Sequence, residues 1–153
     1  GWMRGAIAIE TGSEELRNRV MGKGLTDAAL FRALRAIRRH PQIHLKAYFI
    51  LGMPEETQAT LAATERMLER LDVDEVLLSN LLPFPGTALF AQALRDGLLI
   101  GIDPRELWRC EELFYTDNTR FFVKPYALEV EQLIRFRERV AGLIGRRGRA
   151  VHA

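Results

Sequence analysis

Three apolar runs in this chain end in residues able to hold a small polar molecule. The first break is "IETGSEELRNRVMGKG", Ile9 to Gly24, where an Ile-rich run closes on Glu10 and Ser13 follows. A lone Lys23 then stands between Gly22 and Gly24. The others are "GMPEET" from Gly52 and "PFPGT" from Pro83. A carboxylate accepts from a pair of hydroxyls, a serine hydroxyl donates or accepts, and an ammonium pairs with an anion. Such a set binds a polar molecule; it carries no nucleophile or acid–base pair of its own. "GKG" is not a phosphate loop, which would need Gly at Arg17 and Ser or Thr at Gly24. No dinucleotide-binding G-x-G-x-x-G follows an apolar run. His40, His44 and His152 pair with no acid at metal-ligand spacing. The single cysteine, Cys110, permits no disulfide framework and reads as a small buried hydrophobe.

The elements that must carry these breaks follow from periodicity. Ala6 to Glu10 is a strand candidate. Ser13 is placed to cap a short helix ending near Gly22 or Gly24, and Thr26 to cap a longer one. In the longer helix Leu30, Leu34 and Ile37 share a face, opposite Arg32, Arg35, Arg38 and Arg39, and Pro41 ends it. "IHLKAYFIL", Ile43 to Leu51, alternates and then turns continuously apolar, as a buried parallel strand would. A helix is expected from Thr57 to Leu71, a strand from Glu75 to Leu82, and a helix from Thr87 to Asp96 closed by Gly97. Strand and helix thus alternate three times, and each polar break follows a strand. That is the rhythm of right-handed βα units, in which ligands bind at the C-terminal ends of the strands. After Gly97 a short helix capped by Asp103 with Pro104 next, an extended "TRFFVKPY" and an amphipathic helix from Ala127 to Ile144 are expected.

The chain has 153 residues, 48% of them hydrophobic, which suits one globular core. No apolar run approaches the roughly 20 residues of a membrane helix, and the opening does not read as a secretory signal, so the cytoplasm is the default compartment. A net charge of +2 is too small to imply nucleic acid. The basic excess gathers at the end, in Arg135, Arg137, Arg139, Arg146, Arg147 and Arg149, and reads as a solvated helix face with a frayed terminus rather than a nucleic-acid or partner tail, since no aromatics interleave it.

Taken together, "ETGSEELRNRVMGKG", "FILGMPEET" and "LPFPGT" resemble the second half of a radical S-adenosylmethionine (SAM) core, most closely that of enzymes with an upstream cobalamin-binding domain, relatives of the methylthiotransferases. There a strand ending in E-S-G-S precedes a basic N-K-G turn, the next reads F-I-x-G-x-P-G-E-T, and a third leads to P-Y-P-G-T. The likeness covers residues 5 to 97 in order. It implies an α/β fold: three parallel βα units of a partial TIM-like (β/α) barrel over residues 1–97, with a mainly helical extension over 98–153.

The same resemblance implies roles. Glu10 would contact the ribose hydroxyls of SAM. Ser13 would bond the ribose or the methionine part, or serve only as a helix cap. Lys23 would pair with the methionine carboxylate, or be a solvated turn lysine. Ile50 and Gly52 would pack the adenine and bring backbone close to it, or be core and turn. Pro83 belongs to the third loop. Tyr48 stands where methylthiotransferases often carry Asp, which favours the cobalamin-linked branch. Glu55 departs from the family's Gly. The large departure is the C-x-x-x-C-x-x-C loop that holds a [4Fe-4S] cluster, for which one cysteine cannot substitute. The implied protein is therefore a fragment whose intact parent cleaves SAM to a 5′-deoxyadenosyl radical. Its partners would be the missing N-terminal half of the barrel or another chain, a small-molecule substrate, and a second copy through an exposed sheet edge. The alternatives are an inactive SAM-binding or subunit-interaction half-barrel and a methylthiotransferase-type tRNA modifier.

Overall fold

A computed structural model describes residues 3–103, 105–106, 120–146 and 150–152, with side chains as far as Gly142. Strands β1 (Met3–Glu10), β2 (Ile43–Leu51) and β3 (Glu75–Asn80) lie side by side in chain order, all parallel. Helices α1 (Asp27–Ile37), α2 (Gln58–Arg70) and α3 (Ala88–Arg95) follow them in turn. Helix α4 (Val130–Arg146) then leads to a fourth parallel strand, β4 (Ala150–His152), against β3. The protein is thus α/β, an open parallel sheet of βα units with a C-terminal helix.

Local chemistry sets the helix starts. Thr26, Thr57 and Thr87 each accept a hydrogen bond from the backbone N–H three residues on, and Thr57 forms a reciprocal capping box with Thr60. Helix α1 stops at Ile37, short of Pro41. Arg38 turns away to ion-pair with Asp74 at 2.9 Å, and Asp74 also accepts the Leu45 N–H at 2.7 Å. One carboxylate therefore ties the end of α1 to the start of β2.

The helices cover one face of the sheet. Ile9, Leu45, Phe49, Leu51, Val76 and Leu78 point into them and pack on Leu30 and Leu34 of α1, Leu61 and Leu68 of α2, and Leu133 and Phe136 of α4. Helix α4 therefore closes the same core as the first three units, with Phe121 and Leu128 beside it. A second cluster, Leu16, Met53, Leu81 and Ala93, sits at the C-terminal edge. On the other face Arg4, Ala6 and Ala8 of β1 are exposed, and His44, Lys46, Tyr48 and Ile50 of β2 are half-buried.

Several expectations need correction. β2 is buried on one face only, and its apolar end reflects Ile50 packing on the edge cluster. β1 begins at Met3 rather than Ala6, and β3 ends at Asn80 rather than Leu82. α4 begins at Val130, after the Glu129 N–H is capped by the Gln132 side chain at 2.7 Å. The terminus expected to fray returns to the sheet as β4. The helix expected from Asp103 through Cys110 lies mostly outside the described residues.

Candidate functional site

Glu10 closes β1 in an unusual backbone conformation. Its φ is 69°, and the Thr11 N–H bonds the Ile9 carbonyl at 2.9 Å, which closes a three-residue turn around it. A left-handed side-chain-bearing residue in such a turn is strained, and strain of this kind gathers at ligand sites. The next residues are pinned to α2. The Gly12 N–H donates to Thr64 Oγ1 at 2.9 Å, and a Cβ on Gly12 would collide with the Ala63 carbonyl and the Thr64 backbone. Only glycine permits that approach.

The expected short helix is a π-helical turn, Leu16–Val20. The Met21 N–H reaches the Leu16 carbonyl at 3.3 Å, one residue further back than in an α-helix. Ser13 does cap it, accepting the Leu16 N–H at 3.2 Å. The turn is organised from inside by Arg17, which is wholly buried. Its guanidinium donates to the Thr11 carbonyl at 3.0 Å and the Leu25 carbonyl at 2.9 Å, and ion-pairs with Asp27. Asn18 clasps Leu25 from the other side, accepting its N–H at 2.8 Å and donating to its carbonyl at 3.2 Å. Residues 11 to 27 thus form a rigid loop with Lys23 at its tip, between Gly22 and Gly24, both at positive φ.

That tip folds back over the strand end. Lys23 Nζ lies 2.7 Å from Glu10 Oε1, with the carboxylate largely buried. Register puts Tyr48 opposite Ala8 and Ile50 opposite Ser79, on the open face of the sheet, and it slips by one at the end of β1, so that Glu10 stands opposite Phe49. The C-terminal edge therefore brings together Glu10 and Lys23, with Ile50 and Tyr48 on the adjoining sheet face. Ser13 is not part of this group. It lines a separate cavity of about 300 Å³ with Arg19, Glu55 and Thr60. Gly52 is buried with φ 95°, and the space beside its Cα is filled by Phe121. Pro83 is buried at the same edge.

Sequence reasoning missed Glu56. Its side chain is buried and accepts the Gly52 N–H at 2.6 Å, while Oε1 has no partner. Burial pushes its carboxyl up to about 7, against the lowering effect of the Gly52 and Met53 N–H groups. The carboxylate of "GMPEET" thus holds the second loop from within. Arg17, Thr64 and Glu56 all support the edge through internal hydrogen bonds.

The open parallel sheet, with its polar loops gathered at the C-terminal strand ends, defines the chain as an α/β protein, and in such sheets ligands bind at that edge. No family model matches the chain. It is 29% identical over 105 residues to an uncharacterized methyltransferase of Pyrococcus horikoshii, a match covering 67% of this chain and 23% of that protein. The chain therefore spans under a quarter of that relative's length. Among the described residues no group of three or more His, Cys, Asp and Glu side chains could hold a metal ion, and no helix is long and apolar enough to cross a membrane.

Proposed function

We propose that this chain is the SAM-binding half of a radical SAM core and that it cradles the ribose and methionine ends of that cofactor. The observation that carries this reading is the Glu10–Lys23 pair, a diol acceptor and a carboxylate partner on a rigid loop at a strand end. The likeness to a protein named as a methyltransferase supports SAM as the ligand. Glu10 accepts the two ribose hydroxyls, Lys23 pairs with the methionine carboxylate, and Ile50 with Tyr48 offers an apolar and aromatic face to the adenine. Gly52 and Pro83 shape the loops behind them.

The chain's residues do not fit a [4Fe-4S] cluster, since a single cysteine cannot replace three thiolates. When bound in the intact parent, the cluster would supply the electron for SAM cleavage; its ligands, and any cobalamin site, belong to sequence outside this chain. The outer edge of β1 has no strand partner among the described residues. It is where a preceding half-sheet joins, or where two isolated chains associate. An inactive SAM-binding module is the second reading, favoured by the lone cysteine.

The test is SAM binding to the intact parent by calorimetry. Glu10→Ala and Lys23→Ala should each weaken binding by about 1–3 kcal/mol, because the ligand's polar groups lose their partners. Normal binding by both variants would show the roles to be wrong. After anaerobic reconstitution with iron and sulfide, the 153-residue chain should form no 5′-deoxyadenosine, and turnover by it would overturn the fragment reading.

A further inference from the structure

We propose that the open face of the sheet carries a second site, which recognises an anion, built from Arg4, His44 and Lys46. A cavity of about 430 Å³ lies over these residues, with the backbone of Gly5, the small side chain of Ala6, Tyr48 and Glu75 completing its walls. All stand on neighbouring strands in register: Arg4 opposite His44, and Lys46 between Ala6 and Glu75. In a closed (β/α) barrel this layer is filled by bulky branched apolar side chains. Here it is charged and aromatic, so it is not a packing layer.

The charges do not cancel. Glu75 is approached by two groups, Lys46 Nζ at 2.7 Å and His44 Nε2 at 3.6 Å, and Lys46 also lies 5.4 Å from the centre of the Tyr48 ring. Glu75 therefore orients Lys46 and His44 while offsetting one positive charge. Arg4 has no ion pair among the described residues, so the side chains lining the cavity carry a net positive charge. An arginine fork beside an oriented ammonium is the donor set that binds a carboxylate or phosphate. The larger arginine groove on the outside of the fold also carries uncancelled charge, since Arg35 and Arg39 have no ion pair among the described residues, but two of its cations are already engaged. There Arg38 is held by Asp72 and Asp74, and Arg70 lies over the Phe31 ring.

Ala6, opposite Lys46, is four residues before Glu10, or about 13 Å along the strand. A molecule anchored here by its anionic end reaches toward the Glu10–Lys23 pair. That it is the substrate of the proposed SAM chemistry rests on the reading above; the anion site itself does not.

The experiment is a nitrogen-15 NMR titration of the full chain at constant ionic strength, with inorganic phosphate in one arm and succinate in another. Saturable shifts should be confined to amides near Arg4, His44 to Tyr48 and Glu75, and the tighter-binding arm identifies phosphate or carboxylate as the natural group. Arg4→Gln, which removes an exposed side chain with no ion pair among the described residues, should weaken binding about fivefold or more, while Arg39→Gln on the outer groove leaves it unchanged. Equal shifts around Arg35 and Arg39, or unaltered affinity in Arg4→Gln, would overturn the site. A third arm with S-adenosylhomocysteine reports on Glu10, Lys23 and Ile50. Loss of that response alone would defeat the SAM reading and leave the anion site standing.

Discussion

The ammonium of Lys23 and the carboxylate of Glu10 meet at 2.7 Å across a loop whose two ends are pinned by buried contacts. Each is thereby neutralised at a strand end where an unpaired carboxylate would be costly. A ligand bearing both a diol and a carboxylate can replace each partner with one of its own groups, so the pair is satisfied in both states.

The pair's own contribution should be modest, because Lys23 is 35% exposed. A double-mutant cycle with Glu10→Ala and Lys23→Ala, read by urea unfolding, should give a coupling of about 0.5–1 kcal/mol that shrinks in high salt. A salt-independent coupling of several kcal/mol would contradict the partly exposed geometry.

Arg17 should matter far more than its surface-type sequence context suggests. Arg17→Met removes the donors to Thr11 and Leu25 and leaves Asp27 without its partner. The expected cost is about 2–3 kcal/mol, from carbonyls left without their donors, since Asp27 is 39% exposed and water takes up its charge. Hydrogen exchange should accelerate first between Thr11 and Leu25. A loss below about 0.5 kcal/mol, the range of an ordinary surface substitution, would show that the loop does not depend on it.

Gly12→Ala should cost about 3 kcal/mol, since the new methyl group meets the backbone of α2 rather than a movable side chain. Gly142→Ala on α4, where nothing beyond the helix's own adjoining turns lies within 4 Å of the new methyl, is the control and should stabilise slightly. Equal thermal midpoints for the two variants would count against the close approach.

Glu56 gives the fold a pH dependence with a definite sign. Its carboxyl is raised from 4.5 to about 7, so the folded state holds a proton that the unfolded state has released over that window. Its favourable contribution is complete below about pH 4.5 and is lost as pH rises through about 7. Glu56→Gln should therefore be more stable than wild type at pH 8, by at most about 3 kcal/mol, with the gap closing toward pH 5. A gap that widens on acidification would show the carboxyl to be ionised when folded.

The βα rhythm was legible because its signals are local. A threonine before each periodic run caps a helix, and apolar runs ending in glycine or a carboxylate mark strand ends. Glu10 and Lys23 stood out in the sequence as polar residues after an apolar run, but their contact with each other was not legible, since it depends on the positive φ of Gly22 and Gly24 and on Arg17 behind the loop. Arg17 and Glu56 sit in polar stretches that read as solvent-facing; their burial comes from partners packed over them. β4 has three residues and no pattern of its own, and only the free edge of β3 makes it a strand.

The strand order has a kinetic consequence. β1 pairs with β2 and β2 with β3, so these contacts can form during synthesis as soon as each βα unit emerges. The edge of β3 is the exception, because its partner waits until Ala150. Closing that long loop is the costly step, and until then β3 offers an unpaired template to other chains. Refolding should accordingly show an early phase protecting β1 to β3 from exchange and a later one at Glu75 to Leu77, and a chain cut before Ala150 should aggregate faster than the full one.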